Sequence, residues 1–363
     1  MWMKSSDCKI RRLLPVILPL LLILPAVSGC HALPERSYSY TEPVSESKIG
    51  DRGDVTGVGD YDALRRELLS MVARHEESGE LRFLAYEGDV NVDISRAFIY
   101  IKTETALGAY AVDVMSYSPR RIVSYHEADI YISYKRSREQ TESIISYRSV
   151  EALAKRIRET FANGGAYAVF RGRGAVALDV PAALRIAWAC YYADPQLCAV
   201  RPEIRVSQYP ETSREPIVEI QLDYGVSPAE LQNMRRELAA AVTSVSANID
   251  GAEDVFSQLQ ELYAKLNEIC EYTPDSAEFT AYDALVSGSA NSEGIAMAYL
   301  ALCRESGLDA VITRGRLRSE EHCWNTVTVD DRTYHIDVSE SVFLSSDAEM
   351  LEASYAFSSY TFS

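Results

Sequence analysis

SANSEGIAMAYLALCRESG (residues 289–307), followed by EEHCWN (320–325), decides how this chain is read. The first segment opens on Asn291 and Ser292, residue types whose side-chain oxygens satisfy the free backbone N–H groups of a helix start. It then runs almost wholly apolar to Gly307, the pattern of a helix buried on all sides. A serine at the mouth of a helix and a histidine some thirty residues on allow two readings. They are half of a hydrolytic site, or a helix cap beside an unrelated histidine.

The flanking segments bear on that choice. Upstream, DVFSQLQELYAKLNEICEY (254–272) carries Val255, Leu259, Leu262, Leu266 and Ile269 as one helical stripe. Downstream, HCWNTVTVDDRTYHIDVSES (322–341) reads as strand, turn and strand, and VFLSSDAEML (342–351) as a closing strand and short helix. In this order and spacing the run from about 252 to the end resembles the transglutaminase-like superfamily, a papain-related fold. The resemblance implies that His322 falls on the catalytic histidine and Asp337 on the aspartate that orients it, with Trp324 and Asn325 completing a His-x-Trp-Asn strand. It also exposes a departure, because the family's Cys-x-Gly at the helix head is here Ser292-Glu293-Gly294.

That departure has a physical consequence. A helix N-terminus and a neighbouring imidazole hold a cysteine as thiolate, well below its ordinary value of about 8.5. A serine hydroxyl is a far weaker acid and needs its proton removed by a general base during attack, with an oxyanion hole set for oxygen. Two outcomes are therefore expected: a capping serine in a catalytically dead site, or an amidase, peptidase or acyl transferase with Ser292 as nucleophile, His322 as base and Asp337 as orienter. No other cysteine substitutes readily. Cys303 lies along the same helix among core positions, Cys323 alternates with His322 on a strand, and Cys270, ending the preceding helix, stays open on geometry. His335 shares a strand face with Asp337 and reads as a partly exposed strand histidine. No cofactor motif is read, and no metal site, since His322, His335, Asp337 and a cysteine lack zinc-ligand spacing.

Further outward, a helix is predicted from Asp60 on Leu64, Leu68 and Val72, ending at Gly79. ADIYISYKRSREQTESI (128–144) and VEIQLDYGVSPAELQNM (218–234) align at an offset of 90 positions. Ile130, Ile132 and Tyr134 fall on Ile220, Leu222 and Tyr224, and Ser137 and Ser227 each stand at a helix N-cap. With the proline turns SYSPRR and SQYPETSREP ahead of them, these make a strand-turn-strand-helix unit used twice. The expected fold class is α+β: a small α+β domain with two such repeats (60–249), then a transglutaminase-like domain (250–363). His126 stands alone in a hairpin and reads as exposed or structural.

At the other end, a basic stretch (Lys4, Lys9, Arg11, Arg12) precedes the apolar run Leu13–Val27, too short to span a bilayer. It ends in Val27-Ser28-Gly29-Cys30, which resembles a bacterial lipobox. That implies a signal peptide over 1–29, lipidation of Cys30 as a diacylglyceryl thioether, and a flexible tether over 30–59 spanning roughly 30 Å. Cleavage would remove four basic residues and one acid, taking the net charge from −17 to −20. Such a chain is a poor partner for nucleic acid or anionic lipid, so the lipid rather than charge would hold it at the membrane. The five cysteines beyond Cys30 cannot all pair, and no disulfide framework is inferred. The expectation is an extracytoplasmic, lipid-anchored surface protein whose C-terminal cleft binds a peptide, protein or cell-wall fragment, with the repeat domain as an alternative binding part.

Overall fold

A computed structural model describes residues 56–172, 178–197, 199–247, 249 and 254–362. The expected leader, Cys30, most of the expected tether and Cys198 lie outside the described residues. Among the described residues no helix is long and apolar enough to cross a membrane.

The first unit consists of β1 (Thr56–Val58), α1 (Tyr61–Ala73), β2 (Ser78–Phe83), α2 (Val90–Glu104), the short α3 (Ala106–Ala111), β3 (Val112–Ile122) and β4 (Tyr125–Tyr134). Its sheet has the order β1-β2-β4-β3, parallel at the first pairing and antiparallel elsewhere. After α4 (Arg138–Glu142) come β5 (Ile145–Ser146), α5 (Val150–Ala162), β6 (Tyr167–Arg171), α6 (Val180–Tyr192), β7 (Glu203–Tyr209) and β8 (Ile217–Asp223), then α7 (Pro228–Ser246). This second sheet, β5-β6-β8-β7, repeats both the order and the pairing senses of the first. The repeat is therefore longer than the hairpin and helix read from the sequence. It begins with a strand, a helix, a second strand and a second helix ahead of that part, where side-chain similarity is too weak to register. Within the predicted part, Ile130 and Ile132 are buried as Ile220 and Leu222 are, and Ser137 and Ser227 cap α4 and α7.

Two local expectations are corrected. Helix α1 has Asp60 as N-cap and buries Leu64, Leu68 and Val72, but it stops at Ala73; Gly79 lies inside β2, with Met71 packed where a Cβ would go. SYSPRR is not a turn: Pro119 is paired within β3, whose place at the edge of the sheet tolerates proline. The reversal comes at Val123-Ser124 instead, and His126 beyond it is exposed.

The rest of the chain forms α8 (Val255–Ile269), β9 (Glu271–Tyr272), a π-helical turn (Asp283–Ser287), β10 (Ser289–Ala290), α9 (Ser292–Glu305), β11 (Ala310–Leu317), β12 (Glu320–Val329), β13 (Arg332–Asp337), β14 (Val342–Ser345), α10 (Asp347–Glu352) and β15 (Tyr355–Phe362). The five-stranded sheet β14-β13-β12-β11-β15 is antiparallel throughout, and α9 packs on it between α7 and α8. Every α9 residue from Glu293 to Cys303 is buried, which is why its sequence lacks a polar stripe. One hydrophobic core runs from Leu153, Phe161 and Phe170 of the second repeat through Leu259, Leu266 and Leu300 to Val327 and Ile336. The first repeat has its own core around Leu64, Leu81, Ile94 and Ile130. The second repeat is thus fused to the sheet that carries the histidine, and it supplies part of the cleft.

Candidate functional site

Helix α9 begins at Ser292, but its N-cap is Asn291. The Asn291 carboxamide oxygen accepts from the N–H groups of Glu293 (3.0 Å) and Gly294 (3.1 Å), and its nitrogen donates to the Ser276 carbonyl at 3.2 Å. The Ser292 hydroxyl is consequently not used as a cap. It is half-buried, faces a cleft, and accepts a hydrogen bond from the Cys323 N–H at 3.3 Å. Gly294 explains the third position of Ser-Glu-Gly: a Cβ there would lie 2.9 Å from the Glu278 carbonyl oxygen and 3.0 Å from that of Thr280, so the loop before the helix closes on bare backbone.

His322 opens the buried part of β12. Its Nε2 donates to Asp337 Oδ2 at 2.6 Å, and both residues are buried. Because Nε2 carries that bond, Nδ1 is the nitrogen left to take a proton from a nucleophile. Asp337 is fixed from several sides: Tyr355 donates to Oδ2 at 2.7 Å, and the Ser339 hydroxyl and N–H donate to Oδ1 at 2.5 and 3.1 Å. Burial, followed by the charge of Asp337, pushes the Tyr355 phenol well up, so it remains a donor. Asn325 donates to the Ala296 carbonyl at 3.0 Å and ties the strand to α9.

His335 has a different job from the one expected of a half-exposed strand residue. It is buried behind Trp324, whose indole N–H donates to His335 Nδ1 at 3.0 Å, while His335 Nε2 bonds Asp347 at 2.8 Å. Indole is only a donor, so Nδ1 accepts and the proton sits on Nε2. This chain braces Trp324 against the back of the sheet and does not line the cleft.

The cleft has a volume of about 1210 Å³. Ser292, His322 and Cys323 lie in its wall, together with Trp188 of α6 and Phe279 from the segment between β9 and α9. As the alternation predicts, His322 turns to Asp337 and Tyr355 while Cys323 turns towards Glu293 and Arg314. Burial, reinforced by the Glu293 charge, pushes the Cys323 thiol up to about 12, so it is no replacement nucleophile. Cys303 is fully buried, its thiol also raised by burial, and Cys270 lies outside the cleft wall with its thiol up at about 11. Sequence reasoning missed Glu293, which is buried and held by the Tyr192 hydroxyl (2.9 Å) and Arg201 (3.0 Å). A glutamate in an otherwise apolar helix was the available signal. Tyr192, Arg201 and Tyr355 gave none, being brought in from distant segments.

Residues 243–338 match the profile of the Transglutaminase-like superfamily, so this part of the chain carries a transglutaminase-like domain, and the α+β architecture agrees. Comparison with curated proteins gives no match. Among solved structures, similarity extends to a TGase at 10% identity, covering 59% of this chain and 62% of that one with a TM-score of 0.27. A protein described as a candidate cysteine protease from Cytophaga hutchinsonii is 12% identical, with 39% and 63% covered and a TM-score of 0.26. A candidate protease from Parabacteroides distasonis is 9% identical, with 72% and 39% covered and a TM-score of 0.24. The chain spans less than two thirds of the length of each of these proteins.

Proposed function

We propose that this chain is a bacterial surface lipoprotein, held to the membrane through Cys30, whose transglutaminase-like cleft binds a peptide or cell-wall fragment without transforming it. The observation that carries the reading is at the head of α9. Ser292, which the resemblance aligns with the nucleophile, lines the same cleft wall as His322 with its Asp337 partner, and its hydroxyl, which accepts from the Cys323 N–H, is too weak an acid to be stored as an anion there. A cleft of this size with aromatic walls remains suited to ligand.

One observation favours a second reading. Because Asn291 does the capping, Ser292 is free to turn to His322 when a substrate displaces the weak bond to Cys323, which would make a serine-dependent amidase or acyl transferase. Peptide cleavage and amine incorporation by wild type, Ser292→Cys and His322→Ala separate the two. The binding reading expects no turnover by wild type, and activity that appears in Ser292→Cys supports it further. Wild-type turnover abolished in His322→Ala would establish the enzyme. Anchoring is tested by Cys30→Ala, which is expected to release the protein from the membrane fraction and block maturation of its precursor.

A further inference from the structure

The cleft wall contrasts with the rest of an acidic chain. Against 53 Asp and Glu and 36 Lys and Arg overall, the cleft is lined by Arg185, Arg201, Arg314 and Arg316 and by only three acids, Asp275, Glu293 and Glu321. Two of these arginines are held flat by aromatic rings. The Arg201 guanidinium lies between Trp188 (4.9 Å) and Phe279 (4.6 Å), and that of Arg314 sits over Tyr192 at 5.3 Å.

Stacking fixes the guanidinium plane in advance, which removes part of the entropy cost of binding a planar anion. Glu293 takes the Nε side of Arg201 at 3.0 Å, and Tyr192 also hydrogen-bonds its guanidinium, so the head group is held in place beside α9. Arg314 pairs with the largely exposed Glu321 at 3.7 Å and also feels the charge of Glu293. Both side chains are about one-third exposed, 32% and 29%, and both line the cleft, where a ligand can reach them. Since Asp275, Glu293 and Glu321 offset three of the four positive charges, the remaining field suits a singly charged group better than a dianion.

We infer that Arg201 and Arg314 form a carboxylate-recognition subsite, so that the cleft selects peptides bearing a carboxylate close to the segment lying over Ser292. This rests on the binding reading above and names the chemical class of its ligand. The carboxylate comes from the peptide's C-terminus or from an acidic side chain.

The test uses the mature, folded protein and a synthetic pentapeptide mixture made in four forms: free C-terminus or C-terminal amide, each with an internal Glu or Gln. Ultrafiltration followed by mass spectrometry reads the retained fraction. Carboxylate-bearing members are expected to be retained about tenfold over the amide–Gln form, the value of one charge-assisted hydrogen bond. Preference for the free terminus or for internal Glu identifies the source. The preference should fall severalfold in Arg314→Gln and in Arg201→Lys, which keeps the charge facing Glu293 but loses the fork. It should also weaken between 50 and 500 mM salt, roughly as screened charges do, a readout on wild type that needs no variant to fold. Retention without carboxylate preference would overturn this inference while leaving cleft binding intact. Retention of no peptide in any form would overturn both.

Discussion

Removing the side chain of Asn291 or of its neighbour Ser292 separates the two roles assigned at the head of α9. In Asn291→Ala the buried N–H groups of Glu293 and Gly294 lose their acceptor, and the carbonyl of half-buried Ser276 loses its donor. Loss of an N-cap alone costs about 1 kcal/mol. The Ser276 carbonyl belongs to a half-buried residue in the cleft wall and adds less than that, so the destabilisation should be about 2 kcal/mol. In Ser292→Ala only the 3.3 Å bond from the Cys323 N–H is lost, at a half-buried position, and the cost should be about 1 kcal/mol or less. Urea unfolding followed by far-UV circular dichroism gives both values, provided the denaturant slope is unchanged between variants. If Ser292→Ala is as destabilising as Asn291→Ala, then Ser292 is a structural cap and its place in the cleft wall means little.

Asp337→Ala leaves the His322 Nε2–H and the Tyr355 hydroxyl without their acceptor, and should cost about 3 kcal/mol or more in the same assay. Gly315→Ala places a Cβ against the Ala356 carbonyl and 2.6 Å from the Trp324 ring, and should destabilise by about 2 kcal/mol despite the better strand propensity of alanine. Burial raises the thiols of Cys190 and Cys270 from 9.0 to about 11 and, with Glu293, that of Cys323 to about 12. The folded state therefore keeps protons that the unfolded chain loses above pH 9. Stability from these groups is complete below that pH and declines as pH rises towards 11–12. Urea unfolding in reductant at pH 8 and pH 10.5 should show the decline, and Cys190→Ala with Cys270→Ala should lessen it while the part owed to Cys303 and Cys323 remains.

The pairing of His322 with Asp337 was legible through the resemblance, which implied both residues, and the neighbouring strands β12 and β13 suffice to bring them together. The cap was not. Asn291 and Ser292 are both good N-cap residue types, and only the extended backbone at Asn291 (φ −81°, ψ −177°) decides which one the helix uses. The second repeat showed its hairpin because alternating isoleucines survive comparison, but its first strand and helices carry no shared motif. The rest of the cleft wall depends on tertiary assembly: Trp188 and Arg201 lie about a hundred residues before Ser292, and no local pattern could place them in the same wall.

The central claim is that the site retains its histidine–aspartate pair and helix terminus and lacks only the thiol. Its most direct test is the pH dependence of iodoacetamide alkylation of Ser292→Cys, with unmutated protein correcting for the native cysteines. Alkylation is expected to be rapid, with an inflection at least one pH unit below the ordinary thiol value of about 8.5 that is lost when His322→Ala is added. An inflection near 8.5 that is indifferent to His322→Ala would contradict the claim.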